Sequence, residues 1–208
     1  MRSSIESTRA GRPLRNPGST RERLIPLPGL FTIVGTNRRF ARFSKDDGPL
    51  QTREIHEGGL CLSVFIVLTK RDHPDSVLMG RLNAEAPWDH IGALDPARTE
   101  QHSKGWMLPS SHLMFRESPQ DGAKRVLTEQ LGLNDQVLNR AEVFSEVYGP
   151  SNHWDIEFVF SGGREEIRSR LVWKELAFVE LNRVRKEELA RSHEDILAHL
   201  GKLENSLA

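Results

Sequence analysis

Apolar and polar positions along this chain alternate between runs of strand length and one long stretch with helical spacing. Residues 60–69, LCLSVFIVLT, are apolar almost without a break, which predicts a central strand buried on both faces. Asp72 to Asp75, with Pro74 among them, predict a turn into a second strand over residues 76–82. Two further strands are expected over 141–148 and 155–161, separated by Gly149-Pro150-Ser151-Asn152. In the second of these, Asp155, Glu157 and Val159 fall on one face and Ile156, Phe158 and Phe160 on the other. The first face is expected to be wet or coordinating, the second to be core. Residues 171–180 predict another strand, and 184–203 a helical region broken near Ser192. Ser192 and Asp195 stand at capping-box spacing, and Ile196, Leu197, Leu200 and Leu203 form a packing stripe.

The stretch 105–133, GWMLPSSHLMFRESPQDGAKRVLTEQLGL, organises the rest. Its helix should start at Ser118 as N-cap, with Pro119 in the first helical position and Asp121 three residues after the cap. Gly132 should end it. Ala123, Leu127 and Leu131 recur every four residues and predict a buried stripe, while Val126, Glu129 and Gln130 share a neighbouring face expected to carry chemistry. Before it, residues 83–104 form a long polar segment holding Trp88, and loops of that length are usually functional or have short structure of their own. A sheet covered by at least two helices is an α+β sandwich.

The spacing within this stretch resembles the Nudix box: Gly, five residues, Glu, seven residues, Arg-Glu, an aliphatic, any residue, Glu-Glu, any residue, Gly, an aliphatic. Ser111 falls on the first glycine, Glu117 on the early glutamate, Arg125 on the arginine, Val126 on the next glutamate, Leu127 on the aliphatic, and Glu129 and Gln130 on the glutamate pair. Gly132 and Leu133 close the match, and Trp106 to Pro109 resembles the family's lead-in. The resemblance implies a Nudix-type mixed β-sheet sandwiched between helices, with an N-terminal strand extension. The chain is expected to divide into a flexible tail at 1–24, a strand extension at 25–57 and the Nudix domain at 58–205.

The same resemblance implies hydrolysis of nucleoside diphosphate-linked compounds with divalent cations held by helix glutamates. Carried onto this chain, Glu129, Glu117 and Arg125 take the catalytic positions and Glu129 and Glu117 those of metal ligands, while Glu157, on the strand face expected to be wet or coordinating, is a further candidate ligand. Trp88, Trp106, His112 and Asp155 are the candidate substrate-binding residues, Trp88 with the alternative of a loop anchor packed on the core, and His153 is a further imidazole near the site. Three residues depart from the pattern: Ser111 for Gly, Val126 for Glu and Gln130 for Glu. Magnesium seeks hard oxygen ligands, and two lost anions are expected to leave its binding weak or absent. Each close charge pair is worth roughly 4 kcal/mol at about 4 Å and an effective dielectric near 20. The glycine tolerates positive φ where serine does so poorly, so the loop at Ser111 is expected to be reshaped. The leading expectation is a cleft for an ADP-ribose-like compound with hydrolysis weak or lost. The alternatives are an active pyrophosphohydrolase with relocated carboxylates, from Asp155, Glu157, Glu165 or Glu166, and a structural or protein-interaction role. Restoring both glutamates, by Val126→Glu with Gln130→Glu, is expected to rebuild a three-carboxylate cluster.

Composition narrows the partners. At 208 residues one domain with an added segment is expected. The 29 basic and 29 acidic residues balance, so no overall field draws the chain to nucleic acid or to an anionic membrane. The single cysteine, Cys61, lies inside the apolar run and reads as a small buried hydrophobe in a reducing compartment. With no apolar stretch of bilayer length, a cytoplasmic protein is expected. Residues 1–24 are Arg- and Ser-rich, and 30–34 and 40–43 read as short strands around Gly35-Thr36-Asn37. Such strands would leave an unpaired edge, and a homodimer through that edge is expected.

Overall fold

The computed structural model describes residues 48–148, 152–190 and 193–203. The strands expected at 30–34 and 40–43, the tail before them and Ser192 lie outside the described residues. Six strands make one sheet: β1 (Leu60–Lys70), β2 (His73–Leu82), β3 (Ser110–His112), β4 (Glu142–Tyr148), β5 (His153–Arg164) and β6 (Trp173–Glu180). Their order is β4-β5-β1-β2-β6, with β3 also paired to β1. The sheet is mixed, because β1 and β5 run parallel from Leu60↔Trp154 to Lys70↔Arg164 while the other pairs are antiparallel. As its unbroken apolar run predicts, β1 is central and covered on both faces.

Strands β1 and β2 meet directly only at their hairpin end, at Thr69↔Val77 and Lys70↔His73. Further along they separate, and residues 107–112 fill the gap. Ser110 to His112 pair with Phe65 to Ser63, and Met107 exchanges both backbone hydrogen bonds with Gly80, at 3.0 and 2.9 Å. Gly80 must lack a side chain, since a Cβ there would come within 2.2 Å of the Trp173 indole.

Alternate residues of β1 sort the interior into two cores. Val64, Ile66 and Leu68 face one, with Trp88, Ala123, Val126, Leu127, Leu131, Phe160 and Trp173. Phe65 and Val67 face the other, with Trp106, Leu108, Val159, Ile196 and Leu197. Helices α1 (Trp88–Ile91) and α3 (Pro119–Val126) contribute to the first core, and α4 (Glu194–His199) to the second. This is the α+β sandwich the pattern predicts.

Helix α3 begins as expected. The Asp121 N–H donates to Ser118 Oγ at 3.1 Å, and Ser118 Oγ donates to Asp121 Oδ2 at 2.7 Å. Its last turn, Leu127–Leu131, widens to π geometry and ends at Gly132 with φ 67°. Ala123, Leu127 and Leu131 are all buried.

The long polar stretch meets one of its two expected alternatives, and the region 184–203 departs from its expected form. The long polar stretch at 83–104 has its own structure, α1 followed by α2 (Pro96–His102), whose N-cap Asp95 accepts the Arg98 N–H at 3.0 Å. Residues 184–190, expected to be helical ahead of the break, hold only a 3-10 turn at Lys186–Glu188. Glu188 accepts the Trp106 N–H and Trp106 accepts the Ala190 N–H, both at 2.7 Å, so this backbone is bonded in extended form to the strand-like lead-in. The α-helix among the described residues of this region is α4, with His193 as its N-cap residue. No helix among the described residues is long and apolar enough to cross a membrane.

Candidate functional site

Arg125 projects from α3 beneath the loop that joins β3 to the helix. Its Nε donates to Glu117 Oε1 at 2.7 Å and its Nη2 to Glu117 Oε2 at 3.0 Å, a two-pronged clamp. Nη2 also donates to the His112 carbonyl at 2.9 Å, and Nη1 to Ser111 Oγ at 3.3 Å. Glu117 Oε2 takes a further hydrogen bond from the Met114 N–H at 2.9 Å. Both side chains are about nine-tenths buried, at 10% and 9% exposure, so the pair spends its charges on holding the loop to the helix. Ser111 sits in extended backbone in β3, opposite Val64, and the left-handed turn is made by Arg116 at φ 62°. The serine therefore imposes none of the expected strain at its own position.

The face expected to carry chemistry is divided. Val126 is fully buried in the first core. Gln130 is fully buried too, and its side-chain amide is used up by backbone. Oε1 accepts the Ser110 N–H at 3.2 Å, while Nε2 donates to the Ser110 carbonyl at 2.8 Å and the Ile91 carbonyl at 2.9 Å. Only Glu129 reaches solvent, 36% exposed and 3.7 Å from Arg125 Nη1. This face therefore presents one open carboxylate, one carboxylate clamped by arginine and one amide bonded to backbone.

The remaining predicted residues do not join Glu129. Trp88 is a core anchor, 1% exposed, edge-on to Trp173 at 4.8 Å with its indole N–H donated to the Asn83 carbonyl at 2.9 Å, so no ring face is open for a base. Trp106 lies in the second core, under the Arg81 guanidinium at 4.6 Å. Asp155 and Glu157 pair with Cys61 and Ser63, and therefore occupy the face of Phe65 and Val159, across the sheet from α3. The metal set of Glu117, Glu129 and Glu157 is thus split by the sheet. Nor is that face wet, because α4 packs over it and Glu157 is 2% exposed. Asp155 accepts from Ser63 Oγ at 2.7 Å and lies with Cys61 and His112 in a buried polar group. His112 Nδ1 contacts the Leu50 carbonyl, and burial followed by the Asp155 charge pushes the Cys61 thiol far up. His153 is buried as well, and desolvation and then Arg98 hold its imidazole below the usual histidine value.

No family model matches the chain, and no curated protein is similar to it. Solved structures do match. A MutT protein from Methanosarcina mazei Go1 superimposes with a TM-score of 0.50 at 16% identity, over 70% of this chain and 96% of that one. The chain has the Nudix fold. A Nudix hydrolase from Nitrosomonas europaea matches with TM-score 0.44 and 16% identity, over 68% of this chain and 89% of that one. The Nudix domain of Shewanella oneidensis NrtR, solved with ADP ribose, matches with TM-score 0.46 and 15% identity, over 68% and 86%.

Two features of this Nudix fold escaped the sequence reading. On the face covered by α4, carboxylate oxygens of Glu146, Glu157 and Asp195 lie within 4.8 Å of one another. Burial, then the Asp155 and Glu146 charges, push Glu157 up to about 8. Burial, then a hydrogen bond with Glu146, push Asp195 up to about 9. Asp195 stands at capping-box spacing from Ser192, and nothing in the sequence relates it to β4. The second feature is a polar groove of about 630 Å³ at the far ends of β1 and β5, lined by Arg71, Arg164, Gly162, Gly163, Asp135 and Gln136 among others. Glu165 and Glu166 also line it, with Glu165 3.1 Å from Arg71.

Proposed function

We propose that this Nudix-fold chain binds a nucleoside diphosphate-linked compound of the ADP-ribose type and does not hydrolyse it at the box. The observation that carries this reading is the lock on Gln130, whose amide is bonded to Ser110 and Ile91 where the family pattern has a glutamate. With Val126 in the core and Glu117 clamped by Arg125, the box helix serves to hold the loop and the sheet together. The donors at the box do not suit magnesium, and no chemical step is assigned to a metal there.

Binding is assigned to the polar groove. Its size falls within the roughly 300–1,000 Å³ typical of small-molecule sites. Arg71 and Arg164 flank it, and guanidinium groups suit the oxygens of a diphosphate. Their present carboxylate partners, Glu165 at 3.1 Å and Asp135 at 3.5 Å, are about half and mostly exposed, and Arg164 Nε also donates to the Glu166 carbonyl at 3.1 Å. Such pairs contribute about 0–1 kcal/mol and yield readily to a phosphate.

Calorimetric titration with ADP-ribose, with and without Mg²⁺, tests the reading alongside chromatographic assay for AMP. One-to-one binding without magnesium and no AMP release are expected. Arg71→Ala and Arg164→Ala should each weaken binding about tenfold, the loss of one charge-assisted hydrogen bond of about 1.5 kcal/mol. Turnover abolished by Glu129→Gln would establish an active hydrolase instead. Absence of binding by any nucleoside diphosphate compound would leave a structural role.

A further inference from the structure

We infer that Glu146, Glu157 and Asp195 form a divalent cation site on the face of the sheet opposite the box helix. The three residues come from β4, β5 and α4, and one carboxylate oxygen from each lies within 4.8 Å of the others. Two oxygens on one ion stand at most about twice the metal–oxygen distance apart, roughly 4.6–5.2 Å for calcium and about 4 Å for magnesium. The spacing therefore suits calcium as it stands and the smaller manganese and magnesium ions after a small closure.

A second observation points to an occupant. Glu157 is 2% exposed, and its Oε2 is sealed from solvent with no hydrogen-bond donor. A buried carboxylate oxygen with nothing to answer its charge is costly. Among the described residues none of the three carboxylates is ion-paired to Lys, Arg or His. Asp195 Oδ1 accepts the Ile196 N–H at 2.6 Å, which orients that carboxylate. Glu146 and Asp195 are only half-buried, so water can complete the coordination shell from the open side. The cluster offers oxygen alone, with no sulfur or imidazole, which selects a hard cation over zinc or copper.

The ion would tie α4 to the sheet. This helix is six residues long with no side-chain cap bond, too short to hold itself, so a cation bridging Asp195 to β4 and β5 would fix the cover of the second core. The site is independent of the box and stands whether or not the groove binds nucleotide.

The test uses the full chain stripped with EDTA and titrated with Ca²⁺, Mn²⁺ and Mg²⁺, by calorimetry and by thermal melts. One saturable ion per chain and a rise in Tm are expected for at least one of the three. Glu157→Gln and Asp195→Asn, both close in shape, should each weaken binding about tenfold or more and remove the metal-dependent rise in Tm. Glu129→Gln should leave both unchanged. The inference is overturned if the folded chain shows no saturable binding of any of the three ions. In that case the carboxylates are held by shared protons, and Glu157→Gln would raise Tm with or without metal. It is also overturned if Glu129→Gln abolishes binding while Glu157→Gln keeps it. That second result would move the ion to the box and count against the proposed function too.

Discussion

The side-chain amide of Gln130 closes on both backbone groups of Ser110, accepting its N–H at 3.2 Å and donating to its carbonyl at 2.8 Å. The same Nε2 reaches the Ile91 carbonyl at 2.9 Å, and the backbone carbonyl of Gln130 accepts the Trp173 indole N–H at 2.8 Å. One residue thus joins the box helix to β3, α1 and β6. The position needs a donor and an acceptor together, which glutamine has and glutamate lacks.

Gln130→Glu is therefore expected to destabilise the chain. An ionised carboxylate would put an oxygen against two carbonyls and take away the hydrogen bond each receives from Nε2, at about 1–3 kcal/mol for each buried group. Adding Val126→Glu would bury a second charge in the first core, since Val126 is fully enclosed. The double substitution should unfold the chain rather than rebuild a magnesium site. Urea denaturation checks this, and a Gln130→Glu midpoint equal to that of the unaltered chain would contradict the assigned role.

The Arg125–Glu117 clamp should behave as one unit. Removing either partner leaves a mostly buried charge, so Arg125→Ala and Glu117→Ala should each cost about 3–5 kcal/mol. The double variant should fall short of their sum, with a coupling of about 2 kcal/mol in a double-mutant cycle. The exposed Arg183–Glu180 pair, 2.8 Å apart, is the comparison, and its coupling should stay below about 1 kcal/mol. Equal couplings for the two pairs would show that the clamp is not enclosed.

His153 should make stability depend on pH in the acid range. Its folded-state pKa lies below the ordinary 6.5, chiefly through desolvation and then through Arg98. The unfolded chain therefore binds the proton more readily than the folded chain. Stability from this residue is complete above about pH 6.5 and falls as pH drops from there towards the lowered value. Denaturation midpoints for the unaltered chain and His153→Gln, followed from pH 7.5 to pH 5, test this. The slope should be shallower in the variant, and parallel curves would remove His153 from the account.

The features that sequence alone determined are those settled within a few residues. Ser118, Pro119 and Asp121 start a helix, and Gly132 ends it, because caps and turns act over one helical turn. The apolar run of β1 could only be a strand buried on both sides, and the spacing from Ser111 to Leu133 carried the fold. Which side of an element faces which neighbour was decided by the tertiary structure. A helix drawn at regular pitch gives Val126, Glu129 and Gln130 one face, but the widened last turn and the cover of α1 enclose two of the three. Trp88 could be a base-stacking residue or a loop anchor by sequence, and its contact with Trp173 across the chain makes it the anchor. Alternation along β5 correctly separated Asp155 and Glu157 from Ile156 and Phe158. It could not tell that α4 covers the acidic side, because that depends on long-range packing. The meeting of Glu146, Glu157 and Asp195 is of the same kind, set by strand pairing and helix docking that no local spacing records.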